Sequence, residues 1–274
     1  MNSITCLLLK KRAYWLEFSH LQTDPSDTPP IRARIASFCI GQCEDRVAAA
    51  MALMQASIDL SAGAGIREFE VGTVLGDLSG LVGLEPYSGV VGMLDSDRLV
   101  IDMLVTRGFE RRSVMVAMEM NLGTFRAPVD RDLMLLRRMA NLSEEPMHIP
   151  TDWRAACAHS HFDITQFTLT NRVGQELATA VYYLSDQDAT VMDRGLLYLA
   201  DFNSAVAHPL AEDLTPEIRY AVAGSLPVLS QRRFHTVRAI IDSSKPSAAA
   251  RIAFLQGMGF QQVASGSAYH KSLS

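Results

Sequence analysis

Several groups of residues have types and spacings that could do chemistry. Cys39 and Cys43 could share a metal, but tetrahedral thiolate sites draw on a second Cys or His pair, and none follows at matching spacing. His159 and His161 would share one strand face, yet no carboxylate or third His stands in register with them, so no metal is expected. The run Asp45-Arg46-Val47-Ala48-Ala49-Ala50 sets small side chains at the start of a helical pattern. Glu119 and His270 stand in strand-like segments and could act as bases, although a solvent-facing polar residue is the commoner explanation. Gly72, Gly76, Gly80, Gly83, Gly89 and Gly92 follow a strand without opening a helix, so they fit no dinucleotide or P-loop pattern and read as a long surface insertion.

The elements that must position these residues come from an internal repeat. Arg107-Gly108-Phe109 and Met258-Gly259-Phe260 are 151 residues apart, and the segments after them align without a gap. Ahead of each lies a short helical pattern, residues 95–106 and 247–256, that the glycine ends in a left-handed cap. A strand follows each, with Val114, Val116, Met118, Met120 and Leu122 alternating in the first. Farther upstream stand longer helices. Residues 44–59, with Val47, Met51, Met54 and Ile58 on one face, lie between strands at 31–41 and 66–71. Residues 216–232, opened by Thr215-Pro216, lie between strands at 192–202 and 235–241. The second copy adds a hairpin, 167–170 and 176–184, around residues 171–175.

The expected fold is therefore α/β (α+β), with two tandem domains, each a mixed central sheet flanked by helices. The domains span 1–123 and 151–274, and the connector 124–150 holds a charged helix over about 130–141 and a Pro-containing loop. Phe109, Val114, Val116 and Met118 are expected in the first core, and Ile240, Leu255 and Phe260 in the second. Few residues precede the first central strand, so 4–18 should supply one or two strands and leave a sheet edge to be covered by the second half or by another subunit of a homodimer.

Composition bounds the class. Hydrophobic residues at 48% and charged residues at 20% are the balance of a globular chain, and a net charge of -5 lacks the cationic footprint of nucleic-acid binding. The basic residues Lys10-Lys11-Arg12 follow a short apolar run, the wrong order for a signal peptide, and no run approaches the ~20 apolar residues of a membrane span. With only 4 cysteines, a cytoplasmic protein with no membrane partner is expected.

The order strand, helix, strand, short helix, Gly-Phe, strand resembles the latter part of a GNAT N-acetyltransferase domain. Met258-Gly259-Phe260 with Ala268-Tyr269-His270-Lys271-Ser272-Leu273 is similar to that family's closing segment, and Arg107-Gly108-Phe109 with Met118-Glu119-Met120-Asn121-Leu122 repeats it. The resemblance implies acetyl-CoA as co-substrate and transfer of its acyl group to a primary amine of a small molecule or peptide. The amine would attack the thioester directly, with backbone N–H groups of splayed central strands holding the oxyanion.

Two family features depart from the pattern. The pyrophosphate loop, Arg/Gln-x-x-Gly-x-Gly/Ala, superposes on residues 45–50 with Asp45 at its first position, and the second half has no glycine across 202–215. The family's general-acid Tyr becomes Leu104 and Leu255, and an Asn seven residues before it becomes Asp97 and Ala248. By resemblance the acyl-CoA site is placed in the first half, at Phe38, Ile40, Arg46, Val47, Ala48, Ala50 and Asp97; no catalytic residue is assigned. At most one half keeps what acyl transfer needs. The alternative is a non-catalytic binding or oligomerisation module.

Overall fold

The computed structural model describes residues 8–9, 12–13, 18–20, 32–35, 45–63, 66–72, 91–128, 130–147, 162–185, 195–204 and 214–273. Contacts divide the chain into two units, Met1–Met115 with Ser265–Ser274, and Val116–Ala264. This division passes through both closing strands, β7 (Glu110–Asn121) and β13 (Gln261–Ser272). The end of β7 belongs to the second unit and the end of β13 to the first, so the contact units cut across the repeat boundaries 1–123, 124–150 and 151–274.

In the first unit β1 (Leu8–Leu9) pairs with β2 (Arg12–Ala13), and β3 (Phe18–His20) pairs antiparallel with β4 (Arg32–Ile35). Strand β4 runs parallel to β5 (Glu68–Val71), and α1 (Arg46–Gly63) lies between them in sequence. On its other side β5 takes the end of β13, with Tyr269 opposite Val71. The buried face of α1 is Ala50, Leu53, Met54, Ser57 and Ser61, rotated from the expected stripe; Val47 is 54% exposed, while Met51 and Ile58 sit at the margin. The Ser57 hydroxyl offsets its burial by donating to Leu53 O at 2.8 Å.

Helix α2 (Arg98–Thr106) ends as its sequence predicts. Gly108 has φ 75° and the Phe109 N–H reaches Leu104 O at 3.0 Å. Phe109 packs in the first core against Phe69, with ring centroids 5.9 Å apart. The glycines bounding the Gly-rich stretch have a local purpose. Gly72 and Gly92 adopt positive φ, and a Cβ on Gly92 would lie 2.4 Å from Ser267 O of β13, so only glycine lets that backbone pass. The short strand β6 (Met93–Leu94) pairs there with β13. Gly76, Gly80, Gly83 and Gly89 lie outside the described residues.

The second unit begins inside β7. After a 3-10 turn at Leu122–Thr124, Asp130 caps α3 (Arg131–Met139), accepting from Leu133 N at 2.8 Å. The next segment is not the loop expected from its proline but strand β8 (Ala140–Pro146), paired antiparallel with β9 (Phe162–Asn171). Its polar sequence hid it, and Pro146 is tolerated because it ends a strand at the sheet edge. β9 and β10 (Glu176–Ser185) form the expected hairpin, closed by Asn171 Oδ1 accepting from Val173 N and Gln175 N.

The order continues through β11 (Leu196–Ser204) and β12 (Thr236–Asp242) to β7. Helix α4 (Pro216–Ser230) starts at the Thr215 cap, and α5 (Ala248–Gly257) ends at Gly259, φ 100°, with Phe260 N donating to Leu255 O at 3.0 Å. The Gly108 helix end is closed by the same bond.

The expected core assignment needs correction. Val116 and Met118 lie in the second core with Leu255 and Phe260, while Ile240 is buried outside it and Ile241 takes its place. Val114 is half-buried in the first unit, and Met115 to Met118 are all buried, so strict alternation fails where β7 is covered on both faces.

Candidate functional site

Parallel strands β11 and β12 pair from Leu196↔Thr236 to Leu199↔Ala239, where the pairing ends although both strands continue. At the same point Val181 of β10 faces Asp201 and Tyr182 faces Leu199, leaving Ala200 as a bulge. The extra residue shifts the alternation of β11: Leu197 and Leu199 face the second core before it, and Phe202 faces that core after it. A bulge and a parting of two parallel strands leave backbone groups that the sheet no longer uses, which makes a slot able to accept a ligand's amide or carbonyl.

In this chain its own side chains take those groups. Phe202 N–H donates to Asp201 Oδ1 at 2.8 Å, and Phe202 O accepts from Arg251 Nη2 at 3.1 Å. Arg251 reaches across from α5, stacks over the Phe202 ring at 4.3 Å, donates to Asn203 Oδ1 at 3.1 Å and pairs with Asp201 at 3.7 Å. Beside this cluster, burial and the Asp201 charge push the Tyr183 phenol pKa up, so it stays protonated near neutral pH. None of Asp201, Asn203 and Arg251 is singled out by motif; the available signal is Arg251, the lone charge in the apolar segment Ala248–Gly257.

The helix starts tell the same story. At α1, Asp45 Oδ1 accepts from Ala48 N at 2.9 Å, so a carboxylate of the chain occupies the place of an incoming anion. At α4, Thr215 Oγ accepts from Ile218 N, Pro216 has no N–H, and Glu217 adds a carboxylate to the first turn. A negative charge already at both starts opposes a pyrophosphate.

Of the seven residues expected to bind a cofactor, five are described. Arg46, Val47 and Ala48 are exposed on the first turn of α1, while Ala50 is buried in the first core. Asp97 precedes α2 and makes no side-chain capping bond. Phe38 and Ile40 lie outside the described residues, as do Cys39, Cys43, His159 and His161. Among the described residues no group of His, Cys, Asp or Glu could hold a metal, and no helix is long and apolar enough to cross a membrane.

The two candidate bases have other partners. Glu119 falls in the second unit, where the nearly buried Arg238 donates from Nε at 2.6 Å and also reaches Tyr198 OH at 3.0 Å. His270 falls in the first unit, opposite Glu70 on β5, and Glu70 is paired with Arg112 at 2.5 Å. Leu104 and Leu255 are fully buried in the two cores.

No known family profile and no curated protein matches the sequence. Solved structures do match in fold. A tandem GNAT protein from the clavulanic acid biosynthesis pathway superposes with TM-score 0.59 at 10% identity, covering 88% of this chain and 75% of that one. A GNAT N-acetyltransferase from Sphaerobacter thermophilus gives TM-score 0.53 at 7% identity, over 94% and 76%. The glucosamine N-acetyltransferase region of a fungal multi-domain β-N-acetylglucosaminidase gives 0.56 at 11%, and there this chain covers 88% of itself but only 30% of the larger protein. At such identities the likeness is one of architecture, and by it the chain has the fold seen in GNAT N-acetyltransferases, with which two tandem domains are compatible.

Proposed function

We propose that this chain is a non-catalytic binding or oligomerisation module that keeps the GNAT fold without its acyl-CoA chemistry. One observation carries the reading. The Phe202 peptide beyond the bulge, freed by the parting of β11 and β12, is bonded on its N–H by Asp201 and on its carbonyl by Arg251. A thioester arm entering the slot would have to displace both, and hydrogen bonds to charged groups contribute about 1.5–3 kcal/mol each. The described residues do not fit acetyl-CoA at the helix starts either, because Asp45 and Glu217 bring like charge to the positions a pyrophosphate needs. The module is read as cytoplasmic on the strength of its 4 sparse cysteines.

A second reading has its own observation. The bulge at Ala200 and the end of strand pairing at Leu199 and Ala239 keep the slot geometry in the second unit. This favours an acyl-CoA-dependent N-acyltransferase confined to that unit, with a small-molecule or peptide amine as acceptor. Calorimetric and thermal-shift titration with acetyl-CoA separates the two. The first reading expects neither heat nor stabilisation at millimolar acetyl-CoA. Micromolar binding, or acetylation of an amine by the wild-type chain, overturns it.

A further inference from the structure

Between α3 and α4 the second unit has a cavity of about 430 Å3, within the size range of small-molecule sites. Its walls include Leu133, Met134, Ala223 and Pro227, and its polar lining is Tyr220 and Arg137. Two cations on these helices differ in their partners. Arg219, next to Tyr220 on α4, is neutralised by Asp130 at 2.7 Å. Arg137 is exposed in the last turn of α3 and has no carboxylate partner among the described residues. An apolar recess with one uncompensated guanidinium in its lining favours a molecule with an apolar body and an anionic head, since the guanidinium fork matches a carboxylate.

We propose that this cavity binds a small amphipathic carboxylate, with the aliphatic part against Met134 and Pro227 and the carboxylate on Arg137. Elements different from those of the β11–β12 slot build the cavity, so the inference holds whichever reading of the slot is right.

The test is calorimetric titration of the full chain with octanoate, octanol and octylamine, repeated on Arg137→Gln and on Ala127→Trp, which fills the cavity from its exposed lip. Octanoate is expected to bind at least tenfold more tightly than the alcohol or the amine. Each variant should raise its Kd at least tenfold while leaving the melting temperature without ligand unchanged. Equal binding of octanol, an unchanged Kd in Arg137→Gln, or no octanoate binding at millimolar concentration overturns the proposal.

Discussion

Tyr182 on β10 is fully buried, and its hydroxyl lies 2.6 Å from Ser225 Oγ on α4. Ser225 itself donates to Val222 O at 2.9 Å, which uses its single hydrogen, so the tyrosine must be the donor of the pair. The two ends of this bond should therefore respond differently to deletion. In Tyr182→Phe the donor disappears and Ser225 keeps its bond to Val222, so the loss is that of one buried hydrogen bond, about 1 kcal/mol. In Ser225→Ala the phenol remains in the core with no acceptor, and the cost rises to about 2–3 kcal/mol. Native-state hydrogen exchange of the α4 and β10 amides reads both values directly. Alkaline pH gives a second check. Burial raises the Tyr182 pKa above its ordinary value of 10.0, so its share of stability is complete below pH 10 and is lost as pH rises beyond that toward the folded pKa. The wild type should lose about 1.4 kcal/mol more per pH unit above 10 than Tyr182→Phe does. If Ser225→Ala costs no more than Tyr182→Phe, the assignment of donor and acceptor is wrong; if the wild type and Tyr182→Phe lose stability equally above pH 10, burial does not hold the phenol neutral.

Gly92→Ala should cost about 3 kcal/mol or more, because it joins a positive φ to a Cβ 2.4 Å from Ser267 O; loss of exchange protection in β5 and β13 measures it. Asp45→Ala removes the cap of α1 and should cost about 1 kcal/mol by urea unfolding, whereas Asp45→Asn keeps most of it. Glu119→Ala leaves the Arg238 guanidinium, only 6% exposed, without its carboxylate and should cost about 3 kcal/mol, with Glu119→Gln milder. An unchanged unfolding midpoint in Glu119→Ala would return Glu119 to the pool of free candidate bases.

Features decided by a few neighbouring residues were legible in the sequence. The Gly-Phe helix ends, the Thr215-Pro216 start of α4 and the Asn171 turn each close their own hydrogen bonds within five residues, so local chemistry was enough. Period and composition gave most of the longer strands in their sequence order, but not the polar β8. What each strand meets was a different matter. The alternation in β7 shows that two faces exist but not which core each faces, and only the tertiary structure gave Val116 and Met118 to the second unit and Tyr269 to the first. The same holds at the slot. Arg251 and Phe202 are 49 residues apart, and no spacing rule links them. Their bond exists because the Ala200 bulge turns a strand carbonyl away from its lost partner toward α5, and a buried or half-buried carbonyl takes whichever donor the fold brings within reach.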